Sequence, residues 1–156
     1  MHRPVAWALA LLLIVPACSA KRAQRGPPDS SVRFDPSQGG AAELSVWVAD
    51  TFDERQKGLS GVDRLSEDEG MAFVFPQPTA DTFWMKDTLI PLSVAFVLPD
   101  GTVGAIREMV PCLADPCRTY ASPEPYTLAV EANPQWFSAH HVVAGSSATL
   151  KGVSPG

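Results

Sequence analysis

Between Gly70 and Gly101 the chain carries three apolar runs, at residues 71–75, 83–85 and 89–98. They are rich in Val, Phe and Trp, which suit a half-buried pleated surface. The pieces between and after them are turn-prone: Pro76-Gln77-Pro78, Lys86-Asp87-Thr88 and Pro99-Asp100-Gly101. Consecutive runs of this kind separated by turns predict strands at the centre of one small β-rich domain. The polar residues planted inside it, above all Lys86 and Asp87, are the first candidates for function.

The flanking sequence extends the same pattern. Residues 43–49 alternate, with Leu44, Val46 and Val48 on one face and Trp47 on the other, which predicts a strand. Thr51 followed three residues on by Glu54 forms a capping box, predicting a short helix over 52–57 closed by Gly58. Residues 59–69 read as a loop ending in Glu67-Asp68-Glu69. Pro99-Asp100-Gly101 predicts a hairpin turn into a return strand at 102–110. Pro111, Pro116, Pro123 and Pro125 keep the next segment irregular. Residues 126–132 predict a strand. Asn133 as N-cap with Pro134 behind it predicts a helix over 134–140. Residues 142–143 and 147–150 supply the last strand or two. The expectation is a mainly β fold: one jelly-roll-like β-sandwich or barrel domain of six to eight short strands with two short helices.

The front of the chain has a different character. Residues 5–15 (VAWALALLLIV) are apolar but shorter than the roughly 20 residues a membrane-spanning helix needs. His2 and Arg3 precede them, and Pro16-Ala17-Cys18-Ser19 follow. Residues 1–17 therefore read as a secretory signal peptide. Cys18 directly after Ala17 matches a bacterial lipoprotein signal, in which cleavage leaves Cys18 as a lipidated N-terminus. Val15 stands where that pattern prefers Leu. Ordinary secretion, with Cys18 cleaved away or left as a thiol, is the alternative. Residues 18–42, with Gly26-Pro27-Pro28 and Ser37-Gln38-Gly39-Gly40, read as the anchor cysteine and a flexible linker, and the domain as residues 43–156. The expected location is the periplasm or cell surface. The outer membrane is favoured as the anchor's home, because Ser19 is not the Asp associated with inner-membrane retention.

The three cysteines fit this location. With Cys18 lipidated, Cys112 and Cys117 remain as a pair in PCLADPC, and a structural disulfide is expected in an oxidising compartment. Their four-residue spacer differs from the two-residue spacer of thioredoxin-like redox motifs, and a structural zinc site wants four ligands. Charge narrows the partners further. Residues 43–156 hold 7 basic and 15 acidic side chains, a net of 7 − 15 = −8, which argues against nucleic acid.

A set of motifs carries a family resemblance: Glu54-Arg55 with Gly58-Leu59, Glu69-Gly70-Met71 with Phe73 and Phe75, Phe83-Trp84-Met85-Lys86 with Thr88, Ile90-Pro91-Leu92, and Asp100-Gly101. Over residues 43–150 the chain resembles the DUF192 family of small, often exported bacterial and archaeal proteins. The resemblance implies a mainly β, jelly-roll-like sandwich and no established activity. Four positions depart from the family's usual residues: Asp87 replaces Asn, Ser93 replaces Asp, Ser60 replaces Met, and Ser146 follows Gly145 where Asp is common.

Candidate chemistry centres on Trp84, Lys86 and Thr88, which share one side of an extended chain, while Asp87 points to the other. A cation beside an aromatic platform suits an anionic or sugar-like ligand. The structural alternative pairs Lys86 with Glu69, Glu108 or Glu131. Ligand-binding candidates are thus Trp84, Lys86, Asp87, Thr88, Arg55, Glu69 and Glu108. Two of Glu69, Asp87, Glu108 and Glu131 within about 5–9 Å would suit glycoside hydrolysis. Met71, Met85, Met109, His140 and His141 would suit copper, though the methionines sit in core-like runs. No Gly-x-Ser-x-Gly elbow occurs, and no cofactor or metal is assigned. The reading is an exported lipoprotein acting as a non-catalytic ligand-binding or envelope accessory module. Its partner would be a small molecule, a glycan or an envelope protein, with a carbohydrate hydrolase and a periplasmic copper protein as alternatives.

Overall fold

Alternation decides the first strands. β1 (Ser30–Asp35) buries Val32 and Phe34, and β2 (Ala42–Ala49) buries Leu44 and Val46 against them, in a register that sets Val32 opposite Leu44. The computed structural model describes residues 26–152. The expected signal peptide and Cys18 lie outside the described residues.

α1 (Phe52–Lys57) follows β2, with both halves of its capping box made. The Glu54 amide donates to Thr51 Oγ1 at 3.3 Å, and the Thr51 amide donates to the Glu54 carboxylate at 3.2 Å. Gly58 ends the helix at φ 45°, a backbone region that favours glycine. This crossover lets β3 (Glu69–Thr79) run parallel to β2. Then come β4 (Phe83–Trp84), β5 (Leu92–Val97), β6 (Val103–Met109), β7 (Thr119–Tyr120), β8 (Tyr126–Ala132), α2 (Trp136–Ala139) and β9 (Ser147–Lys151).

Seven strands form one sheet in the order β6-β5-β8-β3-β2-β1-β9, and β4 with β7 forms a small second sheet. The large sheet curls. The Val103 amide donates to the Ser146 carbonyl, the Gly145 amide to the Val103 carbonyl, and the Ala148 amide to the Gly101 carbonyl, each at 2.8 Å. The start of β6 thereby meets the start of β9, and the sheet closes partway toward a barrel.

Each face of the sheet carries its own core. The first gathers Val32, Phe34, Leu44, Val46, Ala95, Val97 and Val130 beneath α2, whose Trp136 and Phe137 rings stand 5.8 and 5.5 Å from Phe34. The second gathers Met71, Phe73, Met85, Val94, Phe96, Met109 and Tyr126. β5, flanked by β6 and β8, is buried at every position, which is why LSVAFV reads as almost continuously apolar.

The mainly β fold with two short helices is as the sequence predicts. The boundary at residue 43 is corrected: β1 pairs with both β2 and β9 and belongs to the sheet. Its two apolar residues, Val32 and Phe34, are spaced by two and fully buried. The polar, Gly- and Pro-rich surroundings hid that alternation. Pro76-Gln77-Pro78 is no turn but the extended tail of β3, where the ladder to β8 lapses between Val74 and Thr79 and no proline has to donate. Asn133 does not cap α2. Its side-chain amide instead donates to the Ser66 carbonyl at 2.7 Å. Residues 142–143 form no strand. Among the described residues no helix is long and apolar enough to cross a membrane.

Candidate functional site

A groove of ≈ 150 Å³ opens on the second face, between α1 and the segment around β4. Its inner end is set by strand alternation. On β8, Ala129 and Glu131 point toward the second core, and Glu131 has Met71 and Val94 as its cross-strand partners. The Glu131 residue is only 4 % exposed and lines the groove with buried Leu59, Phe73 and Thr88. The outer end is wet. Phe52 (68 % exposed) and Trp84 (52 % exposed) stand at its mouth, with Gln56 and Lys57 between them on α1.

Arg55 fastens one wall. Its guanidinium donates to the Val74 carbonyl at 2.9 Å and to the Asp50 carbonyl, and its carbon lies 5.1 Å from the centre of the Phe75 ring. Phe83 forms the opposite wall. Its ring meets Phe73 edge-on at 5.0 Å and Phe96 at 5.6 Å, so the lining aromatics rest on the core. Behind them, the buried Tyr126 hydroxyl donates to the Asp81 carbonyl at 2.8 Å.

Burial and then the nearby Asp81 charge push the Tyr126 phenol above its ordinary value. A raised folded-state pKa contributes stability in full below the unfolded phenol's pKa of about 10, and that contribution is lost as pH climbs. Tyr126→Phe is therefore expected to flatten the loss of stability above about pH 10, read from urea midpoints across pH.

Lys86 meets a partner the sequence did not single out. Its Nζ lies 2.7 Å from Asp115 Oδ2, inside the cysteine loop, and not against Glu69, Glu108 or Glu131. That hydrogen bond raises the Lys86 ammonium above its ordinary value, so the lysine stays charged through neutral pH and gives up its proton only in strong alkali. The backbone docks as well: the Cys112 amide donates to the Met85 carbonyl and the Asp87 amide to the Cys112 carbonyl, each at 3.1 Å. Cys112 and Cys117 are joined as expected, with Cα atoms 5.7 Å apart, and their ring shapes the loop that receives Lys86.

Asp87 has a backbone role. It sits at φ 55°, and its carbonyl accepts from the Gly61 amide at 3.0 Å. Asn and Asp are the non-glycine residues most at ease in the left-handed region. The departure from the family's Asn thus preserves the turn. Asp87→Asn is expected to shift stability by less than about 0.5 kcal/mol, whereas Asp87→Val costs about 1–2 kcal/mol; chemical denaturation of both variants checks the contrast.

The structure brings Arg55, Trp84, Lys86 and Thr88 together along the groove, and it does not bring Asp87, Glu69 or Glu108 there. Glu69 closes the turn before β3, its carboxylate accepting from the Ser66 amide at 3.2 Å. Glu108 lies toward α2 on the other face. It accepts from Ser93 Oγ at 2.6 Å, and that oxygen accepts from the Gln135 amide at 2.9 Å. Ser93, where the family usually has Asp, ties β5 and β6 to the start of α2. Of the residues weighed for copper, Met71, Met85 and Met109 pack among the apolar side chains of the second core, while His140 stacks on Trp136 at 4.2 Å. Among the described residues no cluster of three or more His, Cys, Asp and Glu side chains could hold a metal ion.

Sequence reasoning missed Phe52, Lys57, Phe75, Asp81 and Phe83 as lining residues, and it weighed Glu131 as a catalytic acid or a partner of Lys86 and not as part of a ligand site. The signal for Glu131 was present: a lone charge in the otherwise apolar end of YTLAVEA.

The fold has solved counterparts. A candidate transcription regulator from Sinorhizobium meliloti 1021 superposes with a TM-score of 0.74 at 27 % identity, covering 83 % of this chain and 99 % of that one. A protein of unknown function from Novosphingobium aromaticivorans DSM 12444 gives a TM-score of 0.71 at 28 % identity, covering 76 % of this chain and 83 % of that one. A search of curated proteins finds no match. The DUF192 model, described as an uncharacterized family, matches residues 35–150. That span runs from the last residue of β1 into β9 and includes every groove-lining residue, and the chain belongs to the DUF192 family.

Proposed function

We propose that the chain is an exported lipoprotein, held to a membrane by a lipidated Cys18, whose β domain binds a small ligand in the α1–β4 groove without transforming it. The observation that carries this reading is the composition of the groove. Two buried polar side chains, Thr88 and Glu131, converge at the inner end of an aromatic-lined cleft whose mouth holds the half-exposed Trp84. A concave site with aromatic walls and convergent polar groups is a common form of small-molecule site. Of the four carboxylates weighed as a catalytic pair, Glu131 lines the groove and Glu69, Asp87 and Glu108 do not, while Asp81 is a second acid on the lining. The Cys112–Cys117 disulfide fits an oxidising, exported setting. The regulator description of the Sinorhizobium neighbour is not carried over, because the net −8 charge of residues 43–156 opposes a nucleic-acid backbone.

Thermal-shift screening of sugars, amino acids, amines and carboxylates is expected to find a stabilising ligand whose effect Trp84→Ala removes. A ligand whose effect survives Trp84→Ala binds elsewhere and defeats the groove reading. Cys18→Ser is expected to move the protein from the membrane to the soluble fraction; unchanged fractionation rejects the anchor.

A further inference from the structure

The chain enters the domain beside the groove. We propose that the groove's rim, with Phe52 and Trp84, seats on the membrane surface that holds the lipidated Cys18, so that the groove opens onto the headgroups of the bilayer. The proposal rests on the anchored-lipoprotein reading above.

Gly26 is the first of the described residues, and its carbonyl is pinned to the sheet by the Trp47 indole at 2.7 Å. With Trp47, Glu54 and Lys57 it lines a second cavity, of ≈ 310 Å³, along one side of α1. Lys57 also lines the groove, together with Phe52, Arg55 and Gln56. A helix with its side chains is about 10–12 Å across, so little more than that width separates the entry point from the rim.

The tether is short. From Cys18 to Gly26 there are 26 − 18 = 8 chain steps. At ~3.3–3.6 Å each they span at most about 29 Å, less than the roughly 35 Å breadth of a domain this size. The face opposite Gly26 therefore cannot reach the bilayer, whereas the side that carries α1 can. Residues 19–25 hold Lys21, Arg22 and Arg25 and no acid, and anionic headgroups draw such a segment down to the surface. What α1's side then presents is Phe52 and Trp84, both more than half exposed, with Lys57 exposed beside them. An indole settles at the headgroup level, and a lysine stem lies along apolar surface with its charge in water. Asp53, Glu54 and Asp81 offset the cations of the rim, so the aromatics carry the contact and the tether supplies the attraction.

Brominated lipid tests which face meets the bilayer, because bromine quenches indole emission only at close range. The full chain, purified from membranes, is reconstituted into vesicles of phosphatidylethanolamine and phosphatidylglycerol, with and without phosphatidylcholine brominated in its acyl chains. The emission due to Trp84 is the difference between the wild type and Trp84→Phe. Bromine is expected to lower that difference by at least about half. Phe52→Glu, at an exposed position, should cut the quenching at least about twofold while the protein stays folded. Flotation of the same samples reads attachment separately. A chain that floats without quenching of Trp84, or whose quenching Phe52→Glu leaves unchanged, overturns the docking and leaves the anchor standing. Quenching confined to Trp47 and Trp136 sets another face on the membrane and overturns it as well. A chain that does not float rejects anchor and docking together.

Discussion

Gly70→Ala is expected to cost about 3 kcal/mol or more, the upper range for overpacking, and to leave little folded protein at moderate denaturant. A Cβ built on Gly70 would stand 2.1 Å from the Glu131 carbonyl oxygen and 2.8 Å from Leu44 Cδ2. The first of these contacts is backbone, so no rotamer change relieves it. β3 and β8 are locked there by the register that sets Gly70 opposite Ala132 and Met71 opposite Glu131. Separating the strands would break the ladder at the residue that floors the groove. Gly40, with nothing within 4 Å of a built Cβ, is the matched control. Gly40→Ala should change stability by less than about 0.5 kcal/mol. Urea midpoints at unchanged m-values compare the two directly.

Phe96→Ala is expected to cost about 3–5 kcal/mol, the range for deleting a fully buried aromatic ring. Phe96 is 0 % exposed in the centre of β5, with its ring 4.8 Å from Tyr126 and 5.6 Å from Phe83. Its loss leaves a void directly behind a groove wall, so any ligand affinity should fall together with stability. Phe52→Ala separates the two effects. Phe52 is 68 % exposed at the groove mouth, and its removal should stay within about 0.5 kcal/mol in stability while still touching binding.

What could be read from the chain followed from period and caps. Residues 126–132 declared β8 by their Tyr and Val content, and the Thr51–Glu54 spacing declared α1, because both signals are local. β1 escaped because alternation over two apolar residues is too short to stand out from a Gly- and Pro-rich setting; tertiary pairing with β2 and β9 makes it a strand. Trp84, Lys86 and Thr88 were singled out from a single stretch, and they do share the groove. The rest of that site comes from α1, β3 and β8, and no pattern in one segment reveals which distant segments meet. Asp115 as the partner of Lys86 depends on how the disulfide loop folds back on residues 85–87, again a non-local fact. Asp87 looked like chemistry because it is a charge planted among apolar runs, whereas its positive φ shows a backbone requirement that Asn and Asp both meet.

The central claim is that the groove beside α1 is where the protein meets its ligand, and three of the chain's four tryptophans, those beyond the expected signal peptide, test it from separate places. Trp84 stands at the groove mouth. The Trp47 indole donates to the Gly26 carbonyl at 2.7 Å, and the Trp136 indole to Asp68 at 2.9 Å beneath α2. Indole N–H resonances followed by NMR during titration with any ligand found by the thermal-shift screen separate the three. The account predicts that the Trp84 resonance moves and saturates while those of Trp47 and Trp136 stay fixed. Saturable movement of Trp47 or Trp136 with Trp84 unchanged would contradict it.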